Sequence, residues 1–296
     1  MSVRPSWLRS QGLFMARHAA QEIQRSMPTP TSRPPPREAD LARPAPLRSA
    51  VVLAVIVMVL LAGWLHSSGR WPFVVDPGPP PTLTALPPAL GKPLVAVGQG
   101  SALALLETLE VKGKAPGNDY QRSAFGDAWQ DVDGNGCDTR NDVLRRDLSD
   151  VGLAADSVCL VASGTLAEPY TGRELAFRRG KDSSGAVQID HVVALGNAWR
   201  TGASALSPEQ RLSLANDPLN LLAADGPANE DKSDGDAATW LPPSKKFRCH
   251  YVARQISVKA AYRLWVTPAE KAAMQRVLGL CPHQQSLPSG YLPRGG

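Results

Sequence analysis

Between Arg48 and Arg70 the chain carries no formal charge, and from Ala50 to Leu65 it is almost wholly apolar. That run divides the sequence, because only the longer part after it can build a sizeable core. As a helix, residues 49–69 suffice to cross a hydrocarbon layer of roughly 30 Å, with Trp64 and Trp71 suited to the far interface. A core helix of a domain this size would normally show a polar face toward solvent, and none is present. A cleaved signal sequence normally has a shorter basic region and a small-x-small cleavage site, for which Ala62-Gly63-Trp64-Leu65 is a poor match. An uncleaved signal anchor is therefore favoured. A true start at Met15 or Met27 would shorten the leading region and keep cleavage, and hence secretion, open. Arginines on the leading side place residues 1–48 in the cytoplasm and the remainder outside the cell membrane.

Charge and proline follow the same division. The first 48 residues hold eight Arg against Glu22, Glu38 and Asp40, and this surplus of five is the whole formal net charge of +5. The rest of the chain is neutral, so any nucleic-acid binding must use a local patch and not a bulk positive field. Prolines gather in Met27–Pro46 and Pro72–Pro93. The sequence thus divides into a disordered basic tail (1–48), the apolar segment (49–69), a stiff Pro-rich linker (70–93), a folded domain (94–281) and a flexible tail (282–296). Cys137, Cys159, Cys249 and Cys281 all follow the apolar run, and no Cys-x-x-Cys pair suggests zinc. Sequential pairing would close two loops, each worth roughly 3 kcal/mol. Three connectivities remain open, and buried free thiols are the alternative.

Within the domain the pattern is mixed. Ala102–Val111 and Val143–Leu153 have helical spacing. Val187–Val193 reads as a strand and Leu219–Ala223 as a second, short buried one. Between them Pro208–Ala215 is a helix with Ser207 as N-cap. Val252–Trp265 and a helix over Pro268–Leu278, begun by Thr267, complete the domain.

The chemistry concentrates between Gln188 and Lys232. Asp190-His191 ends the first strand, Asn220 sits in Pro218-Leu219-Asn220-Leu221-Leu222, and Asn229 opens a polar helix. Singly these are ordinary: an ion pair, a turn residue, a helix cap. In this order, with strand, strand and helix around them, they resemble the HNH endonucleases, the ββα-metal family. The likeness is nearest to a secreted bacterial branch related to the C-terminal part of the GmrSD restriction enzymes, and it covers roughly Asp131 to Cys281. The resemblance implies an α+β fold with a ββα-metal core; with the flanking helices, two expected disulfides and one preceding transmembrane helix read from the residues above, this is the expected architecture. The resemblance also implies His191 as general base, Asp190 and Asn229 as metal ligands, Asn220 as the residue orienting His191, and DNA ends bearing 5′-phosphate and 3′-hydroxyl. Other members carry His where Asn229 stands. An oxygen-only set of Asp and Asn favours one Mg²⁺ or Mn²⁺ over zinc.

Lys232 lies one helical turn beyond Asn229, and Lys245, Lys246, Arg248 and Arg254 follow; all are candidate DNA or phosphate contacts. Asp131, Asp133, Asn135 and Asp142, with Gly136 between, have the spacing of a calcium loop. The short Asp142 at the twelfth place weakens the match, and a turn held by Cys137 is the competing reading. The expected function is a metal-dependent endonuclease of low sequence specificity acting on DNA, with RNA also open. The alternative is a non-catalytic, calcium-stabilised extracellular binding domain on the same scaffold. A toxin held for release is a third reading, for which the chain shows neither processing site nor immunity partner.

Overall fold

The computed structural model describes residues 54–60, 76–86, 90–181 and 183–288. Backbone contacts divide the chain into units 1–72 and 73–296. In the first, residues 54–60 are helical (α1) with exposed apolar side chains. The basic tail and the rest of the apolar segment lie outside the described residues. Among the described residues no helix is long and apolar enough to cross a membrane.

Among its described residues the second unit mixes helices with three antiparallel sheets. β1 (Leu83–Ala85) pairs with β2 (Val95–Val97). α2 (Ala102–Thr108) and α3 (Thr139–Asp147) precede a three-stranded meander of β3 (Leu148–Leu153), β4 (Val161–Ala167) and β5 (Glu174–Arg178). β6 (Val187–His191) is followed by α4 (Leu195–Arg200) and α5 (Pro208–Asn216), then pairs with β7 (Leu221–Asp225), which runs directly into α6 (Gly226–Lys232). α7 (Arg248–Ala261) and α8 (Pro268–Leu278) follow. The disulfides join Cys137 to Cys159 and Cys249 to Cys281, the sequential pairing.

Successive strand residues face opposite ways, so the β6–β7 ribbon serves two cores. Val187, Ile189, Leu221 and Ala223 pack against Val143 and Leu144 of α3 and Val161, Leu166 and Phe177 of the meander. Leu222 and Ala224 face the larger core around Tyr251, Ile256 and Met274 of the last two helices. A ribbon covered on both faces explains the unbroken apolar run Leu221-Leu222-Ala223-Ala224, every residue of which is buried.

Several elements differ from the sequence expectation. Helix Val143–Leu153 is instead α3 followed by β3: Asp138 caps the helix by accepting from Asn141 N, and the chain turns extended at Leu148 to pair with β4. The second ribbon strand is Leu221–Asp225, because Asp217 to Asn220 form the preceding turn. α7 starts at Arg248, ahead of the expected Val252. Residues of the expected spacer also belong to the unit: β1 pairs with β2, Gly91 N donates to Ser213 Oγ, and a Cβ on Gly100 would meet Pro81 backbone at 2.6 Å. The expected tail docks as far as Leu287, whose N donates to Ser257 Oγ, while Ser286 Oγ donates to Gly98 O.

Two capping boxes set α5 (Ser207 with Gln210) and α8 (Thr267 with Glu270). Glu270 also pairs with Lys259 of α7 at 2.9 Å, both side chains being essentially inaccessible. Removing one partner leaves a buried charge, so Lys259→Met is expected to lower the unfolding free energy by about 3–5 kcal/mol. Urea unfolding tests this, and a loss below about 1 kcal/mol, the scale of a surface pair, would refute it.

Candidate functional site

The alternation of β6 sets the site. Ile189 and His191 point one way; Gln188 and Asp190 point the other, toward α6. Gln188 Oε1 accepts from Asn229 Nδ2 at 2.7 Å, and Asp190 Oδ1 accepts from Lys232 Nζ at 2.9 Å. Two strand positions thus meet two positions one turn apart on the helix. α6 is fixed at its start by Asp225, which accepts from Ala228 N and pairs with Arg173 at 2.9 Å. Its first residue must be glycine: a Cβ on Gly226 would lie 2.4 Å from Gly185 O.

Asp190 is buried, and its second oxygen accepts from Tyr170 Oη at 2.5 Å. Burial pushes the carboxyl up, against the opposing pull of Lys232 and Tyr170. Burial and the Asp190 charge push Tyr170 well above the usual phenol range, so it remains a donor. Lys232, expected at a phosphate, is 1 % exposed; besides Asp190 it donates to His191 O at 2.9 Å. It is an internal tie between helix and strand. Arg254 is likewise corrected. It is buried and donates to Pro218 O, Leu219 O and Leu221 O, holding the turn before β7 instead of reaching DNA.

His191 is also buried, with Nε2 2.9 Å from Ala215 O. A carbonyl only accepts, so Nε2 carries the proton and Nδ1 is the basic nitrogen of the neutral ring. Burial first, then the positive charges of Arg122 and Lys232, push its pKa down to about 3 against the support of Ala215. The residues after His191 are held by Asn220, fully buried, whose Oδ1 accepts from Val193 N at 2.8 Å while Nδ2 donates to Leu214 O at 3.2 Å.

Asp190, His191 and Asn229 border one cleft of about 710 Å³, together with Arg122, Arg200 and Asp234. The two arginines and Tyr170 were missed by sequence reasoning. They stand alone in the sequence, on segments that only the fold brings to β6. Lys245, Lys246 and Arg248 do not line this cleft; the first two are exposed, and Arg248 donates to Pro242 O at 2.8 Å. The Asp131–Asp142 loop is held as a turn. Asp131 accepts from Gly134 N, Asn135 N and Gly136 N, and Asn135 Nδ2 donates to both Asp133 and Asp142. Among the described residues no group of three or more His, Cys, Asp or Glu is placed to hold a metal.

Residues 138–277 match the family of the GmrSD restriction endonucleases, C-terminal domain. An uncharacterized secreted protein of Arthroderma benhamiae is 36% identical over 202 residues, which cover 68% of this chain and 94% of that relative. The chain belongs to this family. No solved structure matches it. The family match begins at Asp138, the cap of α3, and so takes in the whole ribbon, α6 and the cleft residues they carry, while Arg122 lies before it.

Two outcomes follow. Lys232→Met strands the Asp190 carboxylate in the core and is expected to cost about 3–5 kcal/mol in urea unfolding; a variant as stable as the parent would refute the tie. A histidine whose folded pKa lies below its unfolded one stabilises the fold fully above about pH 6.5, and the contribution is lost as pH falls toward 3. In that window His191→Gln is expected to flatten the stability profile by up to about 1.4 kcal/mol per pH unit. Parallel profiles for parent and variant would contradict a buried neutral imidazole.

Proposed function

We propose that the chain is a metal-dependent endonuclease of the HNH type that hydrolyses phosphodiester bonds of DNA outside the cytoplasm. The observation that carries this reading is one cleft bordered by a tautomer-fixed His191, Asp190, Asn229 and two arginines. In this reading β6, β7 and α6 are the ββα core. His191 takes a proton from water at Nδ1, with Ala215 O orienting the ring and Asn220 holding the segment behind it. Arg122 and Arg200 attract the phosphate and offset its charge.

In this reading the oxygens offered to a hard divalent cation are Asn229 Oδ1 and the Asp190 carboxylate, whose two oxygens also accept from Lys232 and Tyr170. Asn229 commits its Nδ2 to Gln188, so its Oδ1 would be the ligand end, and Asp190 would supply the carboxylate. Mg²⁺ or Mn²⁺ bound there would supply Lewis-acid stabilisation of the phosphate and of the leaving 3′ oxygen. With so few protein ligands, affinity in the absence of substrate is weak. Lys232 and Tyr170 keep the carboxylate in place.

An exported setting is supported by the two disulfides and by the relative named as secreted. Residues 49–69 then act as signal anchor or cleaved signal. The neutral domain carries no base-reading module, in keeping with low sequence specificity.

The test is plasmid cleavage by the oxidised protein with Mg²⁺, Mn²⁺ or EDTA. Cleavage is expected only with the metals, and His191→Ala is expected to lower it by about 10²–10⁴-fold. Equal rates in EDTA, or an unimpaired variant, would sink the reading.

A further inference from the structure

Beside the cleft lies a second, smaller cavity of about 280 Å³ that shares Arg122, His191 and Leu195 with it. Its other walls are largely apolar and include Phe125, Trp129 and Ala215, while Ser123, Asp127 and Asn216 add polar groups. The volume sits at the lower end of small-molecule sites, enough for one planar heterocycle.

Trp129 is the unusual wall. Its φ of 63° puts a bulky residue in the left-handed region, a strained conformation that persists only where the surroundings hold it. Those surroundings are visible: its carbonyl accepts from Thr139 N, and its side chain packs on the core beneath β6. The indole lies within 15° of parallel to the His191 imidazole, with ring centroids 6.4 Å apart. A flat aromatic face is thus fixed beside the candidate base.

Resting on the nuclease reading above, we propose that this cavity is a nucleobase subsite, in which a base next to the scissile phosphate stacks on Trp129. A phosphate held at Arg122 and His191 has its neighbouring nucleoside one short step away, and those same two residues also line the cavity. Nucleobases have apolar faces and a polar edge, which suits apolar walls with Ser123, Asp127 and Asn216 among them. A base inside the cavity has left its Watson–Crick partner, so the preferred substrate is single-stranded or locally unpaired nucleic acid.

The experiment measures binding of the full chain to a short single-stranded DNA with phosphorothioate linkages, and to the same backbone with abasic sites throughout. The parent is expected to bind the base-bearing strand about tenfold tighter, the scale of one aromatic–base stack. Trp129→Ala should bring the two affinities together, and Trp129→Phe should restore most of the difference. Equal affinity of the parent for both strands, or equal weakening of both by Trp129→Ala, overturns the subsite. If metal-dependent plasmid cleavage persists in that case, only the subsite falls. A parent that neither binds nor cleaves nucleic acid removes the nuclease reading and the subsite together.

Discussion

The Lys232 ammonium, buried between Asp190 and the His191 carbonyl, is the contact on which the site depends. Desolvating such a pair costs several kcal/mol per ion, and the attraction offsets this only with good geometry and further hydrogen bonds. Here Tyr170 supplies one to the carboxylate and His191 O accepts another from the ammonium. An apolar pair could hold α6 on β6 with comparable stability, but it would accept sliding of the helix. The charged tie accepts one register. That register carries Asn229, one turn earlier, to Gln188, and so fixes the distance between two strand residues and one helix residue that border the same cleft.

The turn ahead of β7 is held as firmly, by the larger core. Arg254, whose pKa burial lowers to about 10, stays charged at neutral pH and collects three carbonyls from Pro218 to Leu221. Tyr262 donates to Asp217 Oδ2 at 2.8 Å, and Asp217 Oδ1 accepts from Leu219 N. Asn220 then has one available pose, and through Val193 N it sets the chain leaving β6. His191 is thus positioned from both sides: by Lys232 at its carbonyl and by Ala215 at its ring. Polar side chains do this because apolar packing alone tolerates shifts that hydrogen-bond geometry does not.

How much of this was legible depended on whether the signal is local. Ser207 with Gln210 and Thr267 with Glu270 are adjacent in sequence, and the helices they begin were readable, to the residue for α8. The Asp190-His191 strand was readable from its apolar alternation, and the order Asp-His, Asn, Asn pointed to this stretch. The meander was hidden because β3 carries Asp150 and Gly152, with irregular pairing, and looks like the end of a helix. Lys232 and Arg254 were misread because a charged side chain is on the surface by default, and only the positions of Tyr170 and the β7 turn make burial tolerable. Arg122 and Arg200 were missed for the converse reason. Clusters in sequence attract notice, whereas Lys245 and Lys246, the most obvious one, stand away from the cleft.

The placement of charge fits a domain that is neutral as a whole. A bulk positive field would attract any polyanion to any face, whereas two arginines bordering a cleft that also holds Asp190 and Asp234 act only over a short range. At that range the same charge has a second effect. Arg122 and Lys232 add to burial in disfavouring the imidazolium form of His191. On the proposed reading, a phosphate at Arg122 would cancel part of that positive potential and make the ring a better proton acceptor. Under the proposed nuclease reading, the imidazole would be neutral in the empty cleft and a stronger base once an anion occupies it, which would couple proton abstraction to the presence of the phosphate.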